Sequence, residues 1–242
     1  MTQTQCSSPV ARDAVGATTL ERMSEAPAFN RWMFDRLSRW IGSRVLEVGS
    51  GIGNMSQFFI DRERVVLTDT EAAYRAALEE KYGERESVDV VNFSLPDVPS
   101  ELSDQGFDTI VCLNVLEHID DDVASLDSMF RLLQPAGRLV LLVPAFPALY
   151  GTLDRALGHY RRYTRNLLRE RYSGAGFVMR HLEYFNMAGM PGWWVTGRVL
   201  RRELIPSGSL ALYDMLVPLF RLERIIPFRV GQSLIAIGER PQ

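Results

Sequence analysis

Residues 45–54 read Val-Leu-Glu-Val-Gly-Ser-Gly-Ile-Gly-Asn, an apolar strand that runs straight into three glycines at alternate positions. A carboxylate, Glu47, stands two residues before the first glycine. Glycine reaches positive φ without a Cβ penalty, so this run lets the backbone turn tightly and come close to a ligand. A phosphate-cradling P-loop would follow its glycines with Lys and Ser or Thr. The dinucleotide fingerprint would place its third glycine at position 54, where this chain has Asn54. An NAD(P)-dependent oxidoreductase therefore stands only as an alternative that Asn54 disfavours.

The rest of the chain has the rhythm of a doubly wound α/β fold. A helix with apolar positions Phe29, Trp32, Met33, Leu37 and Trp40 leads into a strand at 44–48, and the glycine loop opens a helix over 54–61. Further strands are predicted at 64–68, 87–91 and 107–113, with helices at 71–82 and 120–133. The turn Gln134-Pro135-Ala136-Gly137 enters a fifth strand at 138–143, and strands six and seven fall at 177–184 and 233–238. Strands alternating with helices, in near-continuous apolar runs, specify a parallel sheet covered on both faces. Ligands of such sheets sit outside the carboxyl ends of the central strands. That rule selects 49–53, 69–71, 92–93 and 114–118.

With 242 residues, the chain has room for one such domain and an embellishment. A net charge of −3 carries no global nucleic-acid signature, so no nucleic-acid partner is expected. Residues 1–24 form a flexible amino-terminal tail without the apolar core of a signal peptide, able to close over a ligand. Cys6 and Cys112 make neither a metal cluster nor a structural disulfide, which fits a reducing cytoplasm. No segment satisfies the length needed to span a bilayer. Between strands six and seven, residues 186–231 form a helical insert with six arginines (198, 201, 202, 221, 224, 229) against three acids, a local balance of +3. It also holds Pro191, Pro206, Pro218 and Pro227. An extra packed layer, a lid, a homodimer surface and a peripheral contact with a membrane or lipid-linked substrate all remain open for it.

Three stretches carry a family resemblance. Glu47-x-Gly49-x-Gly51-x-Gly53 resembles the first motif of class I S-adenosylmethionine-dependent methyltransferases. Asp69 ends the second strand twenty positions after Gly49, the separation at which a carboxylate meets a bound ribose. Val115-Leu116-Glu117-His118 matches a segment after the fourth strand in small-molecule methyltransferases of the ubiquinone-biosynthesis type. The resemblance covers residues 30–145 and implies a seven-stranded sheet, with the last strand antiparallel between strands five and six. It also implies S-adenosylmethionine as cofactor, with S-adenosylhomocysteine as product.

On this reading Glu47, Gly49, Ser50, Gly51, Gly53, Asp69, Thr70, Asn92, Phe93, Asn114 and Val115 bind the cofactor. Bland alternatives stand beside several of them. Asp69 also fits as a helix cap, Glu47 as a buried brace of local backbone, and Asn92 as a turn residue where many relatives carry Asp. The segment 144–164 leaves strand five on the same side. Its Tyr150, Tyr160, Arg161 and Tyr163, with Trp193, are the expected acceptor contacts, while helix capping by Thr164 and surface charge explain the same residues otherwise. His159 is the first choice of general base and His118 the second, because histidine titrates in the useful range; His118 reads equally as a helix-start residue. The expected reaction is methyl transfer to an oxygen or nitrogen of a small molecule. A non-methylation reaction on the same cofactor is the alternative. No metal is expected, since the nearby carboxylates are assigned to the cofactor.

Overall fold

In a computed structural model, residues 9–103, 105–204, 208–224 and 230–242 are described. Cys6, Pro206, Pro227, Arg229 and the first eight residues of the expected tail lie outside them. The elements in chain order are α1 (Pro9–Ser24), α2 (Pro27–Leu37), β1 (Arg44–Val48), β2 (Arg64–Asp69), α3 (Ala72–Tyr82), β3 (Val88–Asn92), α4 (Ser100–Ser103) and β4 (Phe107–Leu113). There follow α5 (Asp122–Leu132), β5 (Leu133–Pro144), α6 (Thr152–Ala156), α7 (Arg165–Gly174), β6 (Val178–Phe185), α8 (Gly189–Trp194), α9 (Ser209–Phe220) and β7 (Ser233–Glu239).

The seven strands form one sheet in the order β3-β2-β1-β4-β5-β7-β6. β7 runs antiparallel to both β5 and β6, as expected. β1, β4 and β5 are apolar on both sides because both sheet faces are covered. Leu126, Met129, Leu168 and Tyr172 pack on one face, and Trp32, Leu37, Leu78 and Tyr82 on the other. Each such side chain, fully removed from water, stabilises the fold by roughly 1.5–3 kcal/mol. The parallel strands β1, β2, β4 and β5 bring their carboxyl ends to one edge, and the site forms there.

Three local expectations are corrected. Residues 9–24 of the tail are a helix, held over the glycine loop by a bond from the Asn54 side-chain amide to the Leu20 carbonyl (3.0 Å). The segment 54–61 is not an α-helix. Its bonds are of the i to i+3 kind, Phe58 N to Met55 O (3.1 Å) and Phe59 N to Ser56 O (3.0 Å), and wind only a short tight turn over Ser56–Phe58. The turn at 134–137 is absorbed into β5. Ala136 takes φ +63°, and the backbone around it pairs with the chain after β7, Ala136 N to Arg240 O (2.9 Å) and Arg240 N to Gly137 O (2.8 Å).

The insert is helical, as read. Asp214 of α9 accepts from the free backbone N–H groups of Ala28 (3.2 Å) and Phe29 (2.7 Å) at the start of α2, a cap supplied from a distant part of the chain. Glu223 does the same for Asn186 (3.0 Å) and Met187 (2.9 Å). These bonds seat α9 beside the strand ends.

Candidate functional site

A cavity of about 870 Å³ opens at the carboxyl ends of the strands. The glycine loop forms its floor. Gly49, Gly51 and Gly53 take φ of +72°, +54° and +81°, where a side chain is strained. A Cβ on Gly49 would also stand 2.4 Å from a methyl of Val115, so the loop and the segment after β4 fit together only through a glycine. The Gly51 N–H donates to Asp69 Oδ2 (2.9 Å), and Asp69 Oδ1 accepts from the Glu71 N–H (2.9 Å). Asp69 thus closes a local turn before α3, and it also braces the loop and faces the cavity. Both sequence readings of this residue describe part of its position.

Glu47 is buried beneath the loop, and its carboxylate accepts from the Ser56 hydroxyl. Burial pushes its pKa up to about 7, against the Ser56 bond that favours the charged form. Ser50, Thr70, Phe93, Asn114 and Val115 also line the cavity. Asn114 takes φ +54° at the end of β4, a conformation Asn tolerates better than most residues. Two of the expected cofactor residues lie elsewhere. Gly53 packs under α3, where a Cβ would meet Leu78 and Tyr82 at 3.1 Å. The Asn92 side chain accepts from Arg75 (3.2 Å) and borders a separate cleft with Ser94 and Pro96.

The opposite wall is polar. The turn Leu116–His118 after β4 meets the segment that carries His159, because the Tyr160 N–H donates to the Glu117 carbonyl (2.8 Å). The His118 and His159 rings stand edge to face with centroids 4.6 Å apart. Asp154, fully buried in the first turn of α6, organises this wall. Its Oδ1 pairs with His159 Nδ1 (3.1 Å) and with Arg162 Nε (2.7 Å), and its Oδ2 accepts from the Gly151 N–H (2.9 Å) and the Trp193 indole (3.3 Å). Burial pushes the Asp154 carboxyl up, but the His159 and Arg162 contacts outweigh it and hold it below the ordinary range. His118 is open to the cavity yet enclosed by protein, which together with His159 pushes its pKa down to about 4. Glu117 is fully buried, and burial raises it to about 7 despite His159 and Arg162 nearby.

Of the expected acceptor residues only Trp193 lines the cavity, with the Arg162 guanidinium 4.9 Å over its ring. The Tyr150 hydroxyl donates to the His159 carbonyl (2.7 Å) from behind. Tyr163 is fully buried and donates to Asp122 (3.0 Å), while Arg161 pairs with Asp120 and Asp122 (both 3.1 Å). Tyr160 points outward and is 55% exposed. Tyr150, Arg161 and Tyr163 build the frame behind the wall rather than its surface. Sequence reasoning missed Glu117 as a side chain in its own right, along with Asp154, Arg162, Asn186 and Tyr213. The one available signal was Asp154 five residues before His159, a spacing that places the two within reach across the end of a short helix.

The family described as "Methyltransferase domain" matches residues 46–139, the stretch from β1 to β5 that carries the glycine loop. The "Ubiquinone biosynthesis O-methyltransferase" of Xylella fastidiosa (strain 9a5c) is 32% identical over 117 residues, 46% of this chain and 47% of that protein. A protein of Mycolicibacterium smegmatis described as "Probable S-adenosylmethionine-dependent methyltransferase" is 28% identical over 193 residues, 75% of this chain and 72% of that one. The chain spans only 4% and 6% of two much longer synthases that it also matches, from Macrophomina phaseolina and Aspergillus aculeatus. Among solved structures, an S-adenosylmethionine-dependent methyltransferase from Mesorhizobium loti superposes with a TM-score of 0.58 at 14% identity, covering 83% of this chain and 92% of that one. The stretch from β1 to β5 therefore matches the methyltransferase domain family, and the seven-stranded sheet has the fold of the methyltransferase on which it superposes. Among the described residues no helix is long and apolar enough to cross a membrane.

Proposed function

We propose that this chain transfers the methyl group of S-adenosylmethionine to an oxygen or nitrogen of a small-molecule acceptor. One observation carries the reading: a single cavity joins a glycine cradle at one end to a polar wall of Glu117, His118 and His159 at the other. The residues present fit the cofactor. Side-chain-free backbone at Gly49 and Gly51 leaves room for close approach, Asp69 offers its remaining lone pairs at the position expected for ribose hydroxyls, and Glu47 offers charge for an ammonium. When bound, the cofactor supplies an activated methyl on a sulfonium whose departing thioether is neutral.

The protein's part is then to align the acceptor, exclude water and take up a proton where the acceptor carries one. Asp154 holds His159 through Nδ1, so Nε2 is left toward the wall as the proton acceptor. α1, α8 and α9 enclose the cavity through Leu20, Trp193 and Tyr213, and the insert acts as a lid whose shape selects the acceptor. A volume of about 870 Å³ lies within the range of small-molecule sites, which supports an acceptor of metabolite size.

Calorimetric titration with S-adenosylmethionine and S-adenosylhomocysteine tests the cofactor half. Both bind the wild type, and Asp69→Ala weakens both about tenfold or more, as expected for loss of a charge-assisted pair of bonds. Incubation of an acceptor panel with methyl-labelled cofactor tests transfer, since label reaches a product only if the methyl moves. Well-folded protein that binds neither compound would end this reading.

A further inference from the structure

Glu117 presents a problem that methyl transfer does not explain. Both of its carboxylate oxygens are buried without a hydrogen-bond partner on any other described residue, although the residue lines the cavity. A buried carboxylate without partners is costly, and it survives where a ligand completes it. Its neighbours are two imidazoles, and the ligating atoms of Glu117, His118 and His159 all lie within 4.8 Å of one another.

We propose that Glu117, His118 and His159 hold one divalent transition-metal ion of the zinc type, with an open coordination position toward the cavity that receives the acceptor oxygen. The location of the acceptor rests on the methyl-transfer reading; the metal site itself does not. Three independent observations support it. First, the His159 imidazole is already held through Nδ1, which Asp154 Oδ1 engages at 3.1 Å, so its other ring nitrogen is the one left for a ligand. Metal-bound histidines are oriented in this way by a carboxylate or a carbonyl behind them.

Second, two nitrogens and one carboxylate oxygen form a donor set suited to a zinc-type ion with three protein ligands and one open position, whereas magnesium and calcium favour oxygen donors. Third, the charge suits a cation. Arg162 lies beside Glu117, but its Nε bonds to Asp154 Oδ1 at 2.7 Å, so that pair is neutral and Glu117 supplies the net charge. An oxygen bound at the open position would be acidified by the ion and would give up its proton to water, so that His159 would serve as a ligand and not as the proton acceptor.

The sequence does not bring these residues together, because Glu117 and His159 lie on different segments. The Tyr160 N–H to Glu117 carbonyl bond joins them only in the fold.

The test uses the untagged full-length chain, stripped with a chelator, dialysed and titrated with Co2+. The expected result is about one equivalent bound, with the visible d–d bands of low-coordinate cobalt, which added Zn2+ abolishes. Glu117→Gln, His118→Ala and His159→Gln are each expected to weaken Co2+ binding by about tenfold or more, while Asp69→Ala leaves it unchanged. Circular dichroism and an S-adenosylmethionine titration of the same samples separate a lost ligand from a lost fold; His118, open to the cavity, is the variant least able to unfold the chain. Wild type that binds S-adenosylmethionine but shows no cobalt bands overturns the metal site and leaves the methyl-transfer reading intact. Bands that survive all three ligand variants overturn it too. Cobalt binding without S-adenosylmethionine binding upholds the metal site and removes the methyl-transfer reading.

Discussion

Glu47 and Glu117 stand at opposite ends of one cavity, both buried and both pushed up to a pKa of about 7. Beyond that they differ. Glu47 has the Ser56 hydroxyl on its carboxylate and sits under a loop tied by Gly51 N to Asp69 Oδ2 (2.9 Å). Glu117 has no hydrogen-bond partner on another described residue, although two imidazoles and a guanidinium lie near it. The first end is complete before any ligand arrives, and the second is completed by what binds. A class-wide cofactor calls for a prebuilt cradle, while an acceptor end specific to one enzyme is where unsatisfied groups concentrate.

The sharpest way to break this contrast is Gly49→Ala. Its added methyl meets Val115 at 2.4 Å on a backbone held at φ +72°, so S-adenosylmethionine affinity should fall by about 100-fold or more in calorimetry. Val115→Ala in the same chain should recover part of it, and an unaffected Gly49→Ala would show that the cradle is not prebuilt.

Asp154→Asn addresses the other end. It disturbs the His159 and Arg162 pairing without touching the glycine loop, so kcat should fall by roughly 10- to 100-fold while the S-adenosylmethionine Kd stays within about twofold. An equal loss in both would mean that the two ends are not separate.

The two acids should also shape stability against pH. A carboxyl raised from 4.5 to about 7 on folding contributes stability that is fully present below about pH 4.5 and is lost as pH rises through about 7. The size is on the order of 3 kcal/mol for each group. Denaturant midpoints of the metal-free chain should therefore fall between pH 5 and pH 8. Glu117→Gln should flatten that fall and raise stability at pH 8. Glu47→Gln should gain less, because it disturbs the Ser56 bond.

The smallest effect is expected at Asn92. Its side chain is spent on Arg75 at 3.2 Å, away from the cavity, so Asn92→Ala should change the S-adenosylmethionine Kd by less than about threefold, within the usual range of surface substitutions. A loss of tenfold would bring Asn92 back into the cofactor site.

The cofactor end was largely legible in the chain. β1, β4 and the glycine loop fall where apolar periodicity and glycine spacing put them, because strand burial and positive φ are local demands that leave local marks. The polar end of the cavity was legible only as a neighbourhood. His118, His159 and Trp193 do face the cavity, but Tyr150, Tyr160, Arg161 and Tyr163 were chosen by residue type, and type does not say which way a side chain points. The tail was misread for a related reason. Helix α1 gains its place through Leu20, which lies on Gly51 and accepts from Asn54, contacts that no property of residues 9–24 announces.

By itself, then, the order of residues determined the sheet, its two covered faces and a ligand loop at the tip of β1, because each depends on periodicities and turn chemistry confined to a few neighbouring positions. Only tertiary structure decided that Asp214 caps α2, that Asp154 grips both His159 and Arg162, and that Glu117 is left buried beside two imidazoles. Those facts depend on distances between segments far apart in the chain, and such distances exist only after the two faces of the sheet have been packed.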